Sequence, residues 1–163
     1  MIGIRGARAV ALAVAAGSLL VGSALTAAAS PAAAGEARYC AADLATRSTA
    51  CAGTDTEAAR LAGIGAQAVL AVRLYDGINY SGATYDFYVT APCTPEYEGE
   101  YGNPNLGTFS NRASSVRTYN QCDVHLHDPV NYGSPYSVWI DASSNLSNIG
   151  TGWNNRASSI GVS

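Results

Sequence analysis

Residues 109–116 read Phe109-Ser110-Asn111-Arg112-Ala113-Ser114-Ser115-Val116, and residues 153–160 read Trp153-Asn154-Asn155-Arg156-Ala157-Ser158-Ser159-Ile160. An aromatic residue, then Asn-Arg-Ala-Ser-Ser, then a β-branched residue recur 44 positions apart. An internal copy of this kind marks one supersecondary unit used twice. The repeat reaches upstream, where Val72-Arg73-Leu74-Tyr75-Asp76-Gly77-Ile78-Asn79-Tyr80 aligns with Val124-His125-Leu126-His127-Asp128-Pro129-Val130-Asn131-Tyr132 at an offset of 52. The first copy therefore carries about eight extra residues between its two landmarks. The chain is a tandem β unit, with copy one over about 68–121 and copy two over about 122–163.

Within copy one, residues 69–75 are β-rich, Asp76-Gly77 supplies a turn, and Tyr85-Asp86-Phe87-Tyr88-Val89 reads as a second strand. Copy two repeats this with 123–126, a turn at Asp128-Pro129, and Tyr136-Ser137-Val138-Trp139-Ile140. Short strands with regular turn punctuation predict an all-β sandwich of two four-stranded Greek keys. Ahead of them, 35–67 is expected to be an N-terminal segment of weak structure. Its one element is a short helix from the capping box Thr54-Asp55-Thr56-Glu57 to about Leu61, ended by Gly63 and Gly65.

The first 34 residues carry Arg5 and Arg8, an Ala/Val/Leu run over 9–25, and the small-residue stretch Pro31-Ala32-Ala33-Ala34. A positive start, an apolar middle and an Ala-x-Ala site are the parts of a secretory signal peptide. The run is too short and too diluted by Gly and Ser for a membrane anchor. The expected product is secreted and extracellular, one domain by length. Without Arg5 and Arg8 it holds seven arginines, no lysine and twelve acids, a balance of −5. An acidic chain with no basic cluster argues against nucleic acid and anionic membrane as partners.

Four cysteines in an exported chain read as two disulfides. Three pairings are possible, and the nearest-neighbour one joins Cys40 to Cys51 and Cys93 to Cys122. Zinc is disfavoured, since no Cys-x-x-Cys spacing exists. The inserted loop of copy one, 91–105, holds Pro92, Pro95, Pro104, three glutamates and two tyrosines, a density of breakers that forbids a regular element. A solvated connection is the plain reading of it, though long loops in compact domains often carry binding.

Tyr75, four residues, Tyr80, Ser81 and Gly82 resemble the first signature of the βγ-crystallin Greek key, and Asn154-Asn155-Arg156-Ala157-Ser158-Ser159 resembles the second. The resemblance covers 68–163. Copy one departs from it with Ser110 in place of the first Asn/Asp; copy two has His127 in the first aromatic position, and its glycine, Gly133, comes one residue early. In that family the second signature can form a calcium site. The resemblance implies ligands from the side-chain oxygens of Asn111, Ser114, Asn155 and Ser158 with backbone carbonyls. Such neutral donors imply weak calcium and no required cofactor.

An exported βγ-crystallin domain with cysteines at 93 and 122 is also similar to the actinobacterial metalloproteinase inhibitors. Members of established activity block thermolysin-type zinc proteases through a rigid, disulfide-braced loop. The resemblance implies a protein that inserts a loop into the cleft of an extracellular protease. A monomer is expected, and Glu96, Tyr97, Glu98, Glu100 and Tyr101 of the Pro- and Tyr-rich loop after Cys93 are the candidate contact residues. No Cys-x4-Cys segment exists to carry over a reactive bond. The alternative is a calcium-binding or structural extracellular module without inhibitory activity. Enzyme readings are poor, because no Gly-x-Ser-x-Gly elbow, phosphate loop or dinucleotide fingerprint is present. His125-x-His127 would share one strand face and could hold a metal. It reads more plainly as repeat positions filled by other residues.

Overall fold

The computed structural model describes residues 38–163; the expected signal peptide lies outside the described residues. In chain order the elements are β1 (Tyr39–Asp43), β2 (Ser48–Ala52), α1 (Asp55–Leu61), β3 (Val69–Gly77), β4 (Ser81–Val89), β5 (Tyr101–Asn103), β6 (Ser115–Thr118), β7 (Val124–His127), β8 (Tyr136–Ile140), β9 (Ala142–Ser143) and β10 (Ser159–Val162). They form two sheets, one in the order β2-β1-β4-β3-β6-β9 and one in the order β5-β10-β7-β8. Each copy contributes four strands, and in each the third crosses to the other sheet. β5 of copy one pairs with β10, and β9 of copy two pairs with β6. The two Greek keys therefore interlock. The fold is all-β and βγ-crystallin-like.

Alternation sets the faces. Val72 and Leu74 of β3, Tyr85 and Phe87 of β4 and Val116 of β6 point inward from the first sheet. Val124 and Leu126 of β7, Ile140 of β8, and Ile160 and Val162 of β10 meet them from the second. Phe109 and Trp153, the aromatics that open the repeated motif, are both buried in this core.

The segment before the repeats differs from the expectation of weak structure. The helix is present, with Thr54 Oγ1 accepting from Glu57 N at 3.2 Å. Ahead of it, β1 and β2 form an antiparallel hairpin, and β1 runs parallel to β4, which leaves β2 as the edge strand. Its turn is held by Asp43 Oδ1, which accepts from the amides of Ala45 and Thr46, and is closed by Arg47 at φ 62. The sequence hides this hairpin because its strands are alanine-rich and lack β-branched runs. Ala41, Ala58 and Ala62 make a second small core that roofs the outer face of the first sheet.

Two turn assignments are also corrected. β3 continues through Gly77, so the turn is Ile78-Asn79-Tyr80, with Asn79 and Tyr80 at positive φ, and β4 starts at Ser81 rather than Tyr85. Gly82 has φ +86, and a Cβ there would stand 2.1 Å from Asp76 Oδ1, so glycine is required. Gly133 lacks a positive φ and does not repeat that role; Ser134-Pro135 follow it.

Candidate functional site

The sequence-derived oxygen ligands come together in pairs across the copies. Ser114 Oγ donates to Asn155 Oδ1 at 3.2 Å, and Ser158 Oγ donates to Asn111 Oδ1 at 3.3 Å. Both asparagines sit in the left-handed region, Asn111 at φ 58 and Asn155 at φ 56. Their amides donate to Ala157 O and Ala113 O, both at 2.8 Å. The next serine along anchors each arch to its own copy. Ser115 Oγ donates to Gly77 O at 2.6 Å and accepts from Tyr80 N; Ser159 Oγ donates to Pro129 O at 2.8 Å and accepts from Tyr132 N. Arg112 pairs with Asp76 and lies over Phe109, while Arg156 pairs with Asp128 and lies over Trp153.

These arches fit calcium by donor type, since each offers an amide and a hydroxyl oxygen, and Asn154 Oδ1 is buried with no hydrogen-bond partner. They lack carboxylates, the donors that strengthen a hold on calcium. The same atoms already satisfy one another and tie the two copies together.

The contact residues expected from the inserted loop divide into two groups. Glu96, Tyr97 and Glu98 are exposed on irregular backbone. Tyr101 lies in β5, where it pairs with Val162, and Glu100 N donates to Val162 O at 2.9 Å. The Glu100 carboxylate accepts from Thr94 N at 2.9 Å and from the Thr94 hydroxyl, which hold it below the usual carboxylate range. Tyr97 stacks on Trp139 with centroids 6.3 Å apart, and Ser163 Oγ donates to the Glu96 carbonyl. The loop begins at the Cys93–Cys122 disulfide, and Cys40–Cys51 bridges directly paired positions of the N-terminal hairpin.

This loop borders a cleft of about 470 Å³ on the outer face of the second sheet, which the sequence did not disclose. Its floor is bare backbone, because Gly102 of β5 pairs with Gly161 of β10. One wall holds His125, His127 and Trp139; the others are Tyr132, Glu100, and Leu44 with Arg47 from the N-terminal hairpin turn. A bulge in β8 sets Ser137 and Val138 against Leu126, so that Trp139 pairs with His125 and Tyr136 with His127. His125 stacks on Trp139 at 4.8 Å. His127 meets Tyr132 edge-on at 5.8 Å, as Tyr75 meets Tyr80 at 5.7 Å in copy one. Burial lowers the pKa of the His125 imidazole, His127 acts in the same direction, and a backbone hydrogen bond with Ser137 opposes them.

No protein-family model matches the chain, and no curated protein does. Solved structures similar to it are βγ-crystallins. One from an archaeon is 19% identical with a TM-score of 0.42, covering 57% of this chain and 96% of its own. A domain from Flavobacterium johnsoniae is 24% identical with a TM-score of 0.41, covering 57% and 93%. One from Ciona intestinalis is 15% identical with a TM-score of 0.41, covering 55% and 94%. These likenesses are of fold. Two disulfides suit an oxidising compartment.

Proposed function

We propose that this chain is a secreted, monomeric inhibitor of thermolysin-type zinc proteases that presents residues 94–100 to the protease cleft. The observation that supports it is the bracing of that loop. It starts at a disulfide, is bonded to the last strand through Glu100 and to the residue after it, Ser163, through Glu96, and rests on Trp139 through Tyr97. A loop already held in place loses little conformational freedom on binding. Tyr97, 65% exposed, and Glu98 remain free to meet a partner. The acidic surface suits neither nucleic acid nor anionic membrane.

The test titrates a thermolysin-type protease with the oxidised protein and runs a serine protease alongside. Stoichiometric loss of the metalloprotease activity alone supports the reading, and Tyr97→Ala with Glu98→Ala should then abolish it at unchanged melting temperature. Full activity of both proteases rules it out. Removing 96–101 whole is a poor test, because it takes Tyr101 from β5.

A second reading is an extracellular module with weak calcium, favoured by the crossed Asn111–Ser158 and Asn155–Ser114 pairs. Calcium bound only by the native state would raise the melting temperature at millimolar concentration.

A further inference from the structure

We propose that His125 and His127 form a two-imidazole site for a late first-row divalent metal ion, of the zinc, nickel or copper kind, in the cleft of the second sheet. They are the chain's two histidines, placed two positions apart on β7 and so on one face of it. Their ring centroids lie 4.9 Å apart. An ion bound to a ring nitrogen at about 2.0–2.1 Å sits about 3.2 Å from that ring's centre. An ion placed at that distance from both ring centres, with one nitrogen of each ring turned to it, would see the two rings about 100° apart, near the tetrahedral angle that zinc prefers.

The His127 ring is prepared for it. His127 is buried, and its Nδ1 lies 3.1 Å from the Gly133 carbonyl, which can only accept. That contact puts the proton on Nδ1 and leaves a lone pair on Nε2, the arrangement in which imidazole binds a metal. Nε2 looks onto the glycine floor, 3.8 Å from where a Cβ on Gly161 would stand. His125 is held between Trp139 and Tyr136, with centroids 4.8 Å from each, so little rotamer freedom is lost on ligation. Among the described residues no third His, Cys, Asp or Glu joins the pair. Water from the open cleft completes the coordination, and positions stay free for an outside ligand. Nitrogen donors select against calcium and magnesium, and the order of affinity should be copper above nickel and zinc.

The experiment uses the untagged, oxidised full chain at pH 7.5, titrated calorimetrically with nickel, zinc, calcium or magnesium chloride. One nickel or zinc ion per chain is expected, with no heat from calcium at this site. The comparison variant is His125→Ala with His127→Phe. Phenylalanine keeps the edge-on ring that copy one has at Tyr75, so the fold is retained, as circular dichroism will confirm. The single variants should each weaken nickel by more than about tenfold, since even the loss of an outer-shell partner costs that much. Copper should also quench Trp139, stacked on His125, and leave buried Trp153 bright; Trp139→Phe should remove the quench and keep the binding. Absence of one-to-one nickel and zinc binding, or unchanged binding in the folded double variant, overturns the proposal.

Discussion

His125 and Trp139 stack face to face at 4.8 Å on the two strand positions that copy one fills with Arg73 and Asp86. The repeat keeps its inner residues and its arches and lets the outer faces diverge. In copy one the outer pair is an ion pair roofed by the N-terminal segment; in copy two it is an aromatic wall of an open cleft. One architecture therefore yields a closed side and a receptive one.

The closed side makes the first prediction. Asp86 is 3% exposed, and its carboxylate takes two hydrogen bonds from Arg73. Burial pushes Asp86 up, Arg73 opposes it, and Arg73 is held firmly charged. Arg73→Leu should cost about 3–5 kcal/mol by stranding a buried acid, while Arg73→Leu with Asp86→Leu should recover most of that. Urea unfolding of both variants decides it; equal losses would mean that the pair matters by its packing alone.

Ser115 and Ser159 make a matched pair of tests. Each is fully buried, donates to a backbone carbonyl beside a turn and accepts from the amide of a tyrosine at positive φ. Alanine leaves a buried acceptor and a buried donor unmet at about 1–3 kcal/mol. Similar losses from Ser115→Ala and Ser159→Ala, measured by thermal unfolding, are expected from the symmetry of the contacts.

Much of this was legible in the sequence. Period-two runs in 69–89 and 136–140, the twin Asn-Arg-Ala-Ser-Ser motifs and the Thr54 capping box specify local geometry through nearest neighbours. β5 and β9 did not stand out, because strands of three and two residues carry no period. Asn111 and Ser158 could be named as ligands, but their pairing depends on the interlocking of the copies. The cleft was hidden for a similar reason: Gly102 and Gly161 become neighbours only through the swapped strand, and Arg47 arrives from a hairpin whose alanines give no strand signal.

The Cys93–Cys122 bridge closes 29 residues, spanning the inserted loop and β5 and β6. Constraint of the unfolded chain over that length is worth about 3–4 kcal/mol. Cys93→Ser with Cys122→Ser should lower stability by that amount and, on the inhibitor reading proposed above, weaken protease inhibition further than stability alone accounts for, by freeing the start of the loop. Inhibition measured well below the melting temperature separates the two effects. An unchanged inhibition constant would show that the ties of Glu96, Tyr97 and Glu100 suffice.

Asp123 sits beside Asp141 where β7 begins, and its backbone exchanges two hydrogen bonds with Ser163. Burial, and then a hydrogen bond and repulsion from Asp141, raise its pKa to about 6 from the ordinary 3.8. The folded chain therefore holds a proton that the unfolded chain releases between these values, and stability falls as pH rises from about 4 to 6. Asp123→Asn keeps a hydrogen-bond donor toward Asp141 and removes the titration. The variant should match the parent at pH 4 and exceed it at pH 7 by about 1 kcal/mol, a figure reduced for solvent screening of a largely accessible group. Urea midpoints at pH 4, 5, 6 and 7 trace the difference. A gap that is constant across that range would assign the change to packing rather than to the proton.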